Sequence, residues 1–226
     1  MATARRLPEP APALEPSLGS AVDGVLLASP RFTTGTCRLR AFRPTLHPAL
    51  ADQVEAGHRA VLEAYGVEGL VVRAPLRAQR ATWMVVARTR RGAPPCGAVR
   101  LELPDPEVPV PLETIVGASL PAQLPAMRAA LRGCAEIAGL WIARSHRRSG
   151  LAHAVMLTGI DLATRLGLRH LYGISSPHAL LAMQRTGARI DPSFGAASLS
   201  YPSARYQSHF IRWDLPTRPN LVTTRP

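Results

Sequence analysis

The chain has 226 residues, 46% of them hydrophobic, and 27 basic against 15 acidic side chains give a formal net charge of +12. That length suits one domain with loose ends, and no apolar run reaches the roughly 20 residues that span a bilayer. Every basic residue other than His is Arg, so the surface favours an anionic partner: a phosphorylated cofactor, an acidic carrier protein or nucleic acid.

Residues 1–30 are rich in Pro and Ala and read mostly as a disordered segment, in which Val25-Leu26-Leu27 could dock on the domain. They contain no continuous apolar core of a secretory signal, so a cytoplasmic protein is expected. Cys37, Cys96 and Cys134 have no C-x-x-C spacing and the seven His no ligand spacing. Neither a disulfide framework nor a metal site is expected, and a reducing compartment fits.

The folded domain is assigned to 31–215 and a flexible tail to 216–226. Alternation in TCRLRAF predicts a first strand from Thr36. Leu50, Val54, Val61, Leu62 and Tyr65 form the apolar stripe of a helix from Pro48 to Tyr65. Residues 70–80 read as a loop or short extra element. Strands over Ala81–Arg88 and Cys96–Leu103, with RRGAPP between them, predict an antiparallel hairpin.

Pro104 to Pro125 holds six prolines and little periodicity. This long excursion either lines a substrate site or is structureless. A short helix over Ala126–Arg132 leads to a strand over Ala135–Ala143. Leu151, Val155, Leu162 and Leu166 form the apolar row of the next helix, which Gly167 stops. A strand at 169–175, a helix from Pro177 capped by Ser176, and strands at Ala188–Ile190 and Tyr206–Leu215 complete the pattern. The order β-α-β-β-loop-β-α-β-α-β-β makes an α/β fold with a mixed sheet.

The chemistry concentrates in Glu136–Ala152, EIAGLWIARSHRRSGLA. A strand there ends in a basic, Gly-containing turn that opens a helix. Free N–H groups and the positive end of the helix dipole converge on that turn, as an anion site requires. Arg147, Gly150 and Ala152 fill the pattern [QR]-x-x-G-x-[GA], and Leu140-Trp141-Ile142 precedes it. Downstream comes Arg185-Thr186-Gly187-Ala188.

This set resembles the GNAT N-acyltransferase superfamily over residues 36–215 by element order and 136–190 by motif. The resemblance implies a mostly antiparallel central sheet flanked by helices. It also implies an acyl donor that is acetyl-CoA, a longer acyl-CoA, or acyl-phosphopantetheine on an acidic acyl carrier protein. Arg147, Arg148, Ser149, Gly150, Leu151 and Ala152 would then bind the pyrophosphate. Trp141 and Ile142 would hold the pantetheine arm. The acceptor would be a small-molecule amine.

Glu136, the long Pro-rich excursion, and Met183 where many family members have a Tyr acid are similar to the autoinducer synthases and long-chain N-acyl amino acid synthases. In that reading Glu136 is the general base, and Arg100 and Ser175 bind substrate. Each residue also has a plainer reading: Glu136 paired with an Arg, Arg100 solvated, Trp141 in the core, Ser176 only a helix cap. Two further alternatives are an acetyl-CoA-dependent acetyltransferase of a small molecule, protein or aminoacyl-tRNA, and a silent fold that binds RNA or protein through its basic face. With aromatics at only 5% and no RNA motif, nucleic acid ranks last.

Overall fold

The computed structural model describes residues 23–28, 31–32, 35–67, 74–105, 107–194, 198–203 and 205–216. Most of the N-terminal segment, residues 68–73 and the tail from 217 lie outside them. The strands are β1 (Leu26–Ala28), β2 (Arg31–Phe32), β3 (Gly35–Thr36), β4 (Arg38–Phe42), β5 (Thr82–Arg88), β6 (Gly97–Glu102), β7 (Ala135–Ile142), β8 (His170–Ser175), β9 (Arg189–Ile190), β10 (Leu199–Ser200) and β11 (Gln207–Asp214). The α-helices are α1 (Pro48–Ala64), α2 (Pro111–Ser119), α3 (Leu124–Leu131), α4 (Leu151–Arg165) and α5 (Pro177–Gln184).

The main sheet runs β1-β4-β5-β6-β7-β8-β11-β10, with β9 also beside β11. Among the described residues only β7 and β8 pair in parallel. This is the expected mixed, mostly antiparallel α/β fold. Helix α4 packs on one face, where Val99, Leu101, Ile137, Val155 and Leu162 share a core. Helix α1 covers the other, with Val54, Met84, Ala98 and Trp141 buried beneath it. Beside α1 on that face, α2 and α3 cover Tyr172 and Phe210.

Two expectations are corrected, and one open alternative is narrowed. Leu26–Ala28, in the segment expected to be mostly disordered, forms β1 and pairs with β4; Asp23 ties its start to the Arg43 N–H at 2.6 Å and to His47 at 2.9 Å. The Pro-rich excursion is not structureless. It contains α2, whose Pro111 stands in the first turn, where a missing N–H costs nothing. Glu113 then reaches back to the Val110 N–H at 2.9 Å and pairs with Arg128 at 3.0 Å. Finally, Ser176 holds the N-cap position of α5 but its side chain makes no capping bond.

Helix α1 lies very close to β7. A Cβ on Gly57 would stand 2.3 Å from Cη2 of the buried Trp141 ring. Real side chains do not come that near, so Gly57 sets the approach of α1 to the sheet. Gly57→Ala should therefore lower unfolding free energy by about 1–3 kcal/mol in urea titration. Adding Trp141→Leu should recover part of the loss, because it removes the clashing atoms; an unchanged single variant would contradict the contact.

Candidate acyl-thioester site

Strand β7 pairs with β8 at Ala135 and Glu136, opposite Leu171 and Tyr172. It then runs on to Ile142 without further pairing to β8. On its other side the register with β6 shifts between Ala98 and Arg100, so Gly139 and Leu140 form a bulge. Gly139 sits at φ 62°, a left-handed conformation that costs glycine little. Bulge and parting together open a slot in the sheet at Gly139–Ile142.

The slot points to the basic turn. A short 3-10 turn over Arg144–His146 precedes Arg147, and α4 begins at Leu151. Arg148 has φ 61° and Gly150 φ 89°. For Arg148 this is a sparsely populated conformation of the kind that clusters at functional sites. Left-handed residues of this kind are what anion-binding nests are built from. No side chain caps α4, and among the described residues the Ala152 and His153 N–H groups meet no acceptor. The N–H of Leu151 is bonded to Ser149 Oγ at 3.3 Å, and the Ser149 hydroxyl donates to the His146 carbonyl at 2.7 Å. Ser149 is thus a brace of the turn. Arg148 is exposed, whereas the Arg147 guanidinium lies 5.0 Å from the Tyr65 ring centroid and is half-buried.

A cavity of about 830 Å³ lies between α1 and the end of β7. Gly57, Ala60 and Val61 form its helical wall, Trp141 and Ala143 its floor, and Arg144 and Arg147 its mouth. This is within the usual size range of small-molecule sites. Trp141 serves both readings given for it: its ring is core, and one edge lines the cavity.

A polar row runs along the same face of the sheet. Glu102 and Glu136 stand directly opposite each other on β6 and β7. Both are buried, at 1% and 3% exposure. Glu102 lies 3.5 Å from Arg100 Nε. Glu136 accepts the Leu112 N–H at 2.7 Å, so it seats the N-terminus of α2. The Arg100 guanidinium lies over the bulge: a Cβ on Gly139 would be 2.7 Å from its Nε. Arg100 is therefore not the solvated hairpin residue of the plainer reading. From α1, His58 joins the row; burial first, and the Arg100 charge second, lower its pKa to about 4.

Ser175 lies apart from this row. It is buried, and its hydroxyl donates to the Ser176 carbonyl at 3.1 Å. Met183 is core, so it offers no proton where a Tyr would have.

Residues 76–183 match the profile of the acetyltransferase (GNAT) family. Over that stretch, just under half of its length, the chain is similar to this family. Solved structures with a similar fold include a putative N-acetyltransferase from Lactobacillus plantarum, at 14% identity and TM-score 0.56, covering 80% of this chain and 99% of that one. A CoA-dependent acyl-homoserine lactone synthase, BjaI, solved with SAM and isopentyl-CoA, is 16% identical at TM-score 0.56 and covers 78% and 82%. FeeM, an N-acyl amino acid synthase from uncultured soil microbes, is 13% identical at TM-score 0.56 and covers 79% and 91%. No curated protein sequence matches the chain. The parted strands, the bulge and the basic turn follow one another along β7. Among the described residues no helix is long and apolar enough to cross a membrane.

Sequence reading missed His58, Glu102 and Gly57, and did not foresee the bulge at Gly139. Glu102 alone left a local signal, an acid inside the apolar run GAVRLEL. His58 also makes stability depend on pH. Its folded pKa of about 4 lies below the ordinary 6.5. The unfolded chain takes up the proton first, so stability is full above about 6.5 and falls as pH drops toward 4. His58→Leu should flatten this part of the profile by about 2 kcal/mol, allowing for partial solvent screening, in melts at pH 4.5 and 7.5. Parallel profiles for the two proteins would contradict the burial of a neutral imidazole.

Proposed function

We propose that the chain is an N-acyltransferase that moves an acyl group from acyl-CoA or an acyl carrier protein to the amine of an amino acid-type acceptor. The observation that carries this reading is the parting of β7 from β8 directly before a left-handed basic turn and an uncapped helix N-terminus. Arg147, Arg148, Gly150, Leu151 and Ala152 would hold the phosphates, with Ser149 shaping the turn. Trp141 and Ile142 would flank the pantetheine arm.

The thioester supplies an acyl carbon open to attack by an amine. The chain's own residues then bind and orient. Arg100, over the bulge, is placed to meet an acceptor carboxylate, which would suit its planar fork. The amine must lose a proton as it attacks. His58 is neutral throughout the physiological range and can accept one, although a pKa of about 4 makes it a weak base. Glu136 is the second candidate; one of its oxygens already takes the Leu112 N–H. Ser175, with its hydroxyl turned to the backbone, is left a minor contact at most.

The similar fold of the homoserine-lactone and amino acid synthases supports the long-acyl reading. A net charge of +12 and the exposed Arg144 and Arg148 would suit an acidic carrier protein. Free, buried cysteines fit a reducing cytoplasm. Acetyl transfer from acetyl-CoA is the second reading, supported by the fold of the putative N-acetyltransferase.

Calorimetry with acetyl-CoA, long-chain acyl-CoA and acyl carrier protein tests the donor. Long-chain donor should bind at least about tenfold tighter than acetyl-CoA; the opposite order favours acetyl transfer, and no binding by any of them sinks the enzyme reading. Arg147→Ala should weaken donor binding by about 10–100-fold, the loss expected for a charge-assisted bond, and Gly150→Val should abolish it.

The base is tested separately. Glu136→Gln keeps an acceptor for Leu112, so the fold should persist. With His58 as base, Glu136→Gln retains most turnover and His58→Leu loses about 10²–10⁴-fold; the reverse result assigns the proton to Glu136.

A further inference from the structure

Three potential metal ligands meet behind the basic turn. Cys37 directly precedes β4, Cys96 directly precedes β6, and His146 ends the 3-10 turn before Arg147. Their ligand atoms all lie within 4.8 Å of one another. The two sulfurs are 3.6 Å apart. Two Zn–S bonds of about 2.3 Å at a tetrahedral angle would hold the sulfurs about 3.8 Å apart, whereas a disulfide needs about 2.0 Å. The observed 3.6 Å is close to that coordination spacing; without an ion the two thiols share a hydrogen bond, and Cys96 Sγ lies 3.3 Å from the Ala87 carbonyl as donor.

The surroundings agree. His146 Nδ1 is 2.9 Å from Ser145 Oγ, a contact that would leave Nε2 to coordinate. Both cysteines are buried, while His146 is half-buried and gives an ion a way in from solvent. Two thiolates and a neutral imidazole around a divalent ion sum to zero net charge, so no bare charge is buried.

We propose that Cys37, Cys96 and His146 form a binding site for a thiophilic divalent transition-metal ion such as Zn(II), with a water as the fourth ligand. Each thiol releases its proton to solvent as the ion binds, so affinity rises with pH. The ligands bridge the β4 and β6 ends to the residue next to Arg147, so the ion would pin the turn that opens α4. Sequence spacing could not reveal such a set, because Cys37 and Cys96 lie 59 positions apart. The metal site stands apart from the acyltransferase reading and survives its failure.

The test uses the full chain, reduced and stripped with chelator, then titrated with Zn(II) against a chromophoric competitor and with Co(II) in the visible range. One ion per chain should bind with Kd below about 1 µM, and Co(II) should show the bands of a tetrahedral thiolate complex. Cys37→Ser and Cys96→Ser should abolish binding, and His146→Ala should weaken it by about 100-fold. Cys134→Ser should bind like the parent. His146 lies on a partly exposed turn, so its variant should fold even if the Cys variants do not, which circular dichroism checks. No stoichiometric binding to the reduced chain overturns the proposal. Binding that survives His146→Ala unchanged overturns the site as drawn.

Discussion

Strand β7 holds its parallel neighbour at Ala135 and Glu136 and then leaves it. The layout of the candidate site depends on this departure. Unpaired edges inside a sheet are costly, since each exposed N–H and C=O lacks a partner. Here the cost is confined to a few residues, and the bulge at Gly139 directs the strand away while β6 keeps its other edge paired. The strand ends at the one turn where Arg148 and Gly150 both take left-handed conformations. Slot, bulge and anion turn are consecutive consequences of one chain path.

The second constraint is the polar row between α1 and α2. Two buried carboxyls in facing register would repel each other if left alone. Arg100 stands beside one, and the α2 N-terminus covers the other. The Pro-rich excursion therefore does structural work at the site: α2 satisfies Glu136 while α3 and its own apolar side chains close a separate core over Tyr172 and Phe210. Arg100 can lean over Gly139 because that position has no side chain to collide with it. The same charge, after burial, keeps His58 neutral. Substrate recognition and proton transfer would thus share one electrostatic arrangement.

What could be read in the sequence was local. Aromatic and β-branched residues on either side of RRGAPP gave the β5–β6 hairpin, the 3.6 period gave α1 and α4, and Gly150 with its arginines marked the anion turn. What could not be read depended on register or on contacts between distant segments. Glu102 faces Glu136 only once β6 and β7 are aligned. His58 looks like an ordinary surface residue until α1 is laid on the sheet, an approach that Gly57 sets against the Trp141 ring. Proline content hid α2, because prolines at the first turn start helices as readily as prolines elsewhere break them. Cys37, Cys96 and His146 come from three segments that only the folded sheet brings together.

The parted strands and the basic turn should respond together to a donor, and backbone amide NMR reads both at once. On addition of a non-reactive thioether analogue of a long-chain acyl-CoA, the largest shifts should fall at residues 139–142 and 149–153. Shifts centred instead on β9–β11, with both of those stretches unchanged, would contradict the assignment of the acyl-thioester site.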